Sequence, residues 1–147
     1  MTEPKNIVLG VTGAIAAYKA CELTRLFVKE GYDVHVVMTE HARAFVSPLT
    51  FSTLSGNPVA SDMFEGNAPE TIRHIDLADD ADLIVIAPAT ANVIAKVAAG
   101  IADDLLSTVI LATKAPVLFA PSMNVNMYEN PVTQGNIQRL TDLGFQF

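Results

Sequence analysis

Four short stretches of the sequence gather residue types able to do chemistry, and each directly follows an apolar run. In Gly10-Val-Thr-Gly-Ala-Ile-Ala, the glycines permit close backbone approach, and the start of a helix would offer free amides to an anion. A phosphate suits such a turn. The stretch lacks both the full Gly-x-Gly-x-x-Gly signature and a Gly-Lys-Ser/Thr phosphate loop, and glycines also serve plain tight turns, so both readings stand. In Met38-Thr-Glu-His, Thr39 occupies the strand end where a dinucleotide site keeps a ribose-gripping acid, although Glu40 follows at once. A mononucleotide such as FMN suits that arrangement better than a dinucleotide.

Pro88-Ala-Thr-Ala-Asn leaves room for a ligand and supplies Thr90 as a donor, but its simpler reading is a helix start capped by Thr90. Pro121-Ser-Met-Asn-Val-Asn-Met-Tyr combines amide donors with soft apolar contacts, which suits a polar, partly apolar organic molecule. Asn is also a common turn residue and Met a common gap filler. His35 falls in an expected strand and His41 at an expected helix start. His74, in Arg73-His-Ile-Asp-Leu, is expected at the end of a long irregular connection that could aim it at a crevice. An imidazole there can act as acid or base, tuned by Asp76 or Arg73, although a lone histidine is more often structural. Zinc, disulfide and serine-nucleophile patterns are absent, and the single Cys21 reads as a small hydrophobe on the first helix. No metal site is expected.

The elements that position these stretches follow from periodicity. Asn6-Ile-Val-Leu-Gly-Val is a continuous apolar run, as in a parallel strand covered on both faces, and it feeds a helix over 14–29 stopped by Gly31. Asp33-Val-His-Val-Val-Met completes a right-handed βαβ unit. A short helix near Glu40 to Phe45, another from Ser47-Pro48, and a punctuated connection from Gly56 through Pro69 come next. Ala81 to Ala87 forms the third strand, followed by a helix to Gly100, a helix capped by Asp103 or Asp104 and running through Ala112, a strand from Val117 to Pro121, and a helix from Pro131 to Gly144. The acidic pairs Asp79-Asp80 and Asp103-Asp104 read as helix starts that complement the dipole. Alternating strands and helices predict an α/β fold: a doubly wound, mainly parallel, Rossmann-like sheet with helices on both faces. Ligands bind such sheets beyond the carboxyl ends of the strands, where all four stretches lie.

Composition sets the outer limits. The chain has 147 residues, enough for one domain that buries about 70% of its unfolded surface. With 50% apolar and 17% charged residues it lies far from compositions that stay disordered. A formal net charge of -7 argues against nucleic acid or an anionic membrane as partner. No apolar stretch reaches the ~20 residues of a membrane span, so a cytoplasmic protein is expected. Its mean hydropathy of +0.34 suggests strands buried on both faces and a subunit interface.

Together these stretches resemble the flavin-containing cysteine decarboxylases, most closely the phosphopantothenoylcysteine decarboxylase type of coenzyme A biosynthesis flavoproteins. The resemblance runs along essentially the whole chain: Gly10 to Lys19 is similar to the family's opening strand and helix, Val37-Met-Thr-Glu to its second strand end, Pro88 to Asn92 to its Pro-Ala-Ser-Ala-Asn motif with Thr90 for Ser, and Pro121 to Tyr128 to its Pro-x-Met-Asn-x-x-Met motif. His74 falls where the family keeps an active-site histidine. The resemblance implies FMN, held by Gly13, Ala14, Ile15, Thr39, Ala89, Thr90 and Ser107, and the substrate 4'-phosphopantothenoylcysteine. It implies flavin oxidation of the cysteine moiety to a thioaldehyde, loss of carbon dioxide to an enethiolate, His74 as acid/base, Asn124 on the substrate carboxylate, and Met123 beside it. It also implies a homotrimer or a larger assembly of trimers.

The family members that complete the reductive step carry a cysteine on a mobile segment beyond the Pro-x-Met-Asn motif, and the sequence stops at Phe147. Residues 1–147 are therefore expected to be a single FMN-binding domain, truncated before its C-terminal substrate lid and lacking the reducing Cys. The alternatives are a peptidyl-cysteine oxidative decarboxylase, a non-catalytic FMN-binding regulatory module, and a flavin prenyltransferase of the same fold, against which the Pro-x-Met-Asn motif speaks.

Overall fold

The computed structural model describes residues 2–61 and 70–147, with side chains of the second stretch described from His74 onward. Four parallel strands, β1 (Asn6–Val11), β2 (Asp33–Met38), β3 (Leu83–Ala89) and β4 (Val117–Pro121), form a sheet in the order β2-β1-β3-β4. All strand exits therefore lie at one end, and the order reverses between β1 and β3, the geometry of an open α/β crevice.

Side chains alternate across the sheet into two cores. Ile7, Leu9 and Val11 of β1 join Val85 and Ala87 of β3 on the face covered by α1 (Ala17–Lys29) and α2 (Pro48–Ser55). Val8, Ile84 and Ile86 face α3 (Glu70–Asp80), α4 (Ala91–Ala99), α5 (Leu105–Ala112) and α7 (Pro131–Asp142). Two-faced burial explains why these strands read as unbroken apolar runs. Gly10 is needed on the second face, because a Cβ there would lie 2.7 Å from Leu106 Cδ1 and 2.8 Å from Ile86 Cδ1. The backbone of β1 thus lets α5 pack down onto the sheet.

Local chemistry ends the helices where expected. Ser47 caps α2 ahead of Pro48, Thr90 caps α4 by accepting from Val93 N–H, and Asp104 forms a capping box with Ser107 at α5. Gly56 and Gly100 close α2 and α4 in the left-handed conformation.

Several expectations are changed or sharpened. α1 begins at Ala17 rather than Ala14, because Ala14 N–H turns back onto the Thr12 carbonyl at 2.9 Å and residues 13–16 form a turn. Beyond β2 stands a 3-10 turn, His41–Ala44. His74 lies inside α3 rather than in an irregular connection, and Asp79 and Asp80 close that helix instead of starting one. The apolar positions that α3 must bury, Leu77 and Ala78, precede the acidic pair, so the helix has to form before it. The stretch after β4 contains a short helix, α6 (Val125–Glu129), capped by Asn124. Of the connection from Gly56 through Pro69, residues 62–69 lie outside the described residues, as does the side chain of Arg73. No helix among the described residues is long and apolar enough to cross a membrane.

Ile86 is fully buried between Gly10 and α5. Ile86→Ala is expected to destabilise the fold by about 2–5 kcal/mol, read as a lower urea midpoint at unchanged slope.

Candidate functional site

A crevice of about 820 Å³ opens at the carboxyl ends of the strands, within the size range of small-molecule sites. Each of the four strand exits contributes: Gly13 and Ala14 after β1, Thr39 to His41 after β2, Thr90 to Val93 after β3, and Ser122, Met123 and Met127 after β4. The parallel topology alone brings these distant stretches together.

The first exit has the form of an anion cradle. Gly13 packs so closely on the 3-10 turn that a Cβ would lie 2.5 Å from His41 Cβ. Among the described residues, the backbone N–H groups of Gly13, Ile15 and Ala16 have no backbone acceptor, whereas those of Ala14, Ala17 and Lys19 do. Unpartnered amides on either side of the bonded Ala14 N–H, at the entry to α1, suit a phosphate. Ile15 itself exposes 76% of its surface and does not line the crevice, so any part it plays is through its amide.

Thr12 ties this exit to the third. Its hydroxyl donates to the Pro88 carbonyl at 2.6 Å and accepts from Thr90 N–H at 3.0 Å, and the side chain is completely buried. Thr90 then lines the crevice while its own hydroxyl caps α4. Ala89 lies just beneath, fully buried, its carbonyl accepting from Ser122 N–H at 3.0 Å. It joins the third and fourth exits without lining the crevice.

Charge enters from the far wall. Lys96 of α4 lines the crevice, its Nζ 2.7 Å from Asp103 Oδ1 and 3.6 Å from Asp104 Oδ2. The bond from Asp103 is the main reason the Lys96 ammonium is held above its usual range, and the bond from Lys96 holds the Asp103 carboxyl below its own. Asp104 also accepts from Ser107 N–H at 2.8 Å and Ser107 Oγ at 2.6 Å. Ser107 is thus buried in the cap of α5, one step behind the wall. No group of three or more His, Cys, Asp or Glu among the described residues could hold a metal.

Gly13, Ala14, Thr39, Thr90 and Met123 are thus brought together, while Ile15, Ala89 and Ser107 stand behind or beside them. Asn124 does not itself line the crevice; it is exposed and follows the lining residue Met123 in the chain, and its Oδ1 accepts from Asn126 N–H at 2.8 Å. Among the described residues its Nδ2 meets no partner, which leaves amide donors for a ligand. His74 does not line the crevice of its own chain; it is half-buried on α3. Sequence reasoning passed over Thr12, His41 and Lys96 as site residues. The proximity of His41 to the second strand end was an available signal. The Lys96 to Asp103 pairing needs the turn at Gly100, which spacing alone does not reveal.

Two outcomes follow from this geometry. Gly13→Ala forces the β1 exit away from the 3-10 turn and is expected to cost about 1–3 kcal/mol in thermal or urea unfolding. The Asp103 contribution is full above the unfolded value of about 3.9 and is lost as pH falls through its lowered folded value; that of Lys96 is full below about 10.4 and is lost as pH rises through its raised one. The stability gap between wild type and Lys96→Met should therefore hold from about pH 5 to about pH 9 and narrow as pH falls below the ordinary carboxylate range, measured as Tm against pH.

Comparison with known proteins places this geometry. The Flavoprotein family model matches residues 1–147. The chain is 54% identical over 147 residues to the Coenzyme A biosynthesis bifunctional protein CoaBC of Bacillus subtilis, covering 100% of this chain and 36% of that protein. It therefore spans little more than a third of that relative. It is 48% identical over 144 residues to a probable phosphopantothenoylcysteine decarboxylase of Streptococcus mutans, covering 97% of this chain and 80% of the relative. A crystal structure of the FMN-dependent cysteine decarboxylase SpaF superposes with a TM-score of 0.88 at 32% identity, over 98% of this chain and 83% of the other.

Proposed function

The chain belongs to the Flavoprotein family, and on that premise we propose that it binds FMN in the crevice and decarboxylates 4'-phosphopantothenoylcysteine in coenzyme A biosynthesis. The observation that carries this reading is the pairing, in one crevice, of the unpartnered amides around Gly13 with Met123 and Met127, the lining residues that flank the exposed Asn124 amide in the chain. One end suits a phosphate and the other a carboxylate on a partly apolar molecule. The names of the Streptococcus mutans and Bacillus subtilis relatives and of SpaF support the same chemistry.

When bound, FMN supplies a two-electron acceptor, without which the electrons left by departing carbon dioxide would have no sink. The chain's own residues then have distinct tasks. The amides of Gly13 and Ile15, with the Thr39 hydroxyl, hold the phosphate; Thr90 lines the cofactor from the β3 exit, backed by Ala89. Ser107 fixes Asp104 and so the wall that carries Lys96. Asn124 holds the substrate carboxylate through Nδ2, its rotamer set by the Asn126 N–H on Oδ1, and Met123 packs beside it.

His74 is the acid/base, since an imidazole exchanges protons near neutral pH. Because it stands off the crevice of its own chain, we infer that it serves the crevice of a neighbouring copy in a homotrimer or an assembly of trimers. The exposed Ile15, Tyr18 and Leu49 support such an interface. The protein is proposed to work in the cytoplasm. Cys21, the single cysteine, lies against the α1 core, where burial raises its thiol above the usual range, and it is given no part.

The test is direct. Purified protein should carry a yellow chromophore released as FMN, and with the substrate it should yield carbon dioxide and the aminoenethiol. His74→Asn should lose about 10²- to 10⁴-fold in the single-turnover rate of substrate-dependent flavin reduction while keeping its flavin. Mixed oligomers of His74→Asn and Asn124→Asp should regain activity if the site is shared between copies. FMN-bound protein that releases no carbon dioxide, or a His74→Asn variant as active as wild type, would overturn the reading.

A further inference from the structure

We propose that Thr12 is a positioning residue for the flavin site: one buried hydroxyl sets the separation of the β1 and β3 exits between which the ligand must lie. The inference rests on the reading of the crevice as a flavin site, and it goes beyond that reading because Thr12 does not line the crevice.

The problem Thr12 solves is topological. β1 leads to α1 on one face of the sheet and β3 leads to α4 on the other, so their backbones separate just where the crevice begins. Regular pairing between them ends at Gly10 and Ile86. Beyond that, the connection runs through Thr12. Its N–H reaches the Pro88 carbonyl at 3.3 Å, its hydroxyl donates to the same carbonyl at 2.6 Å, and the hydroxyl oxygen accepts from Thr90 N–H at 3.0 Å. On its own side, the Thr12 carbonyl accepts from Ala14 N–H at 2.9 Å. Two residues that line opposite sides of the opening, Ala14 and Thr90, are therefore each one hydrogen bond from Thr12.

The side chain is solvent-free, so no water can replace its hydrogen bonds. Serine could make the same two bonds. Valine, of nearly the same shape, can make neither and leaves Thr90 N–H and one acceptance at Pro88 unmet. The loss would displace Thr90 together with its hydroxyl, which caps α4 through Val93 N–H at 3.2 Å.

The experiment compares wild type, Thr12→Ser and Thr12→Val for FMN dissociation constant, visible-band circular dichroism of the bound flavin, and unfolding of the flavin-free protein. Thr12→Val is expected to weaken FMN binding about tenfold or more and to alter the visible dichroism at temperatures where the flavin-free protein is fully folded, while Thr12→Ser stays within about threefold of wild type on both. If the valine variant does not fold, Thr12→Ala carries the same comparison. Equal FMN affinity and unchanged dichroism in folded Thr12→Val or Thr12→Ala would overturn the inference, as would a serine variant as impaired as valine. Wild-type protein that binds no FMN would instead overturn the reading of the crevice on which the inference depends.

Discussion

A parallel sheet delivers every strand exit to one end, and where the strand order reverses the backbone must split toward opposite faces. That divergence is the constraint on which this molecule depends. It creates the crevice, because α1 and α4 leave on different sides of β1 and β3. It also creates a weakness, because the two exits lose their ladder of hydrogen bonds at the point where a ligand needs fixed walls. The buried hydroxyl of Thr12, shared between Pro88 and Thr90, answers that weakness with a side chain where the backbone can no longer do so. The glycines answer a related demand. Gly10 lets α5 settle on the sheet below the crevice, and Gly13 lets the 3-10 turn settle beside it.

Much of this was legible in the amino-acid order, and for physical reasons. Strands buried on two faces must be apolar throughout, so β1 and β3 stand out as runs; helix caps are chemical, so Ser47, Thr90 and Asp104 mark their starts. Thr90 caps α4 through its hydroxyl and also lines the crevice. What escaped the sequence depends on contacts across distance. Thr12 looks like any small residue in a glycine turn until Pro88 and Thr90 come beside it. His74 appeared to stand on a loop because the apolar spacing of α3 is short and its acidic end resembles a helix start. Its place on α3, away from its own chain's crevice, is a fact of tertiary arrangement that no local pattern encodes.

The crevice also differs electrically from the chain around it. The sequence carries 16 acidic and 9 basic residues, yet the walls bring in Lys96, Arg43 and His41 along with Glu40 and the two aspartates. Asp103 and Asp104 do not make the site simply acidic. One is matched by Lys96, and the other is divided between that ammonium and the cap of α5. A balanced wall of this kind fixes the α4–α5 connection without surrounding an anionic ligand with unmatched carboxylates.

Among the described residues, each outer strand carries one extra bridge. On β2, Met38 N–H donates to the Ala60 carbonyl at 2.8 Å and Ala60 N–H to Val36 at 3.0 Å; on β4, Phe119 N–H donates to Gln146 at 2.8 Å and Gln146 N–H to Val117 at 3.0 Å. The rings of Phe145 and Phe147 lie against Phe119 on the same side. These short pairings occupy backbone groups that an open sheet margin would otherwise offer to a foreign strand. Copies of this chain are thereby steered away from joining sheet to sheet through their margins and the fibrous growth that such joining permits.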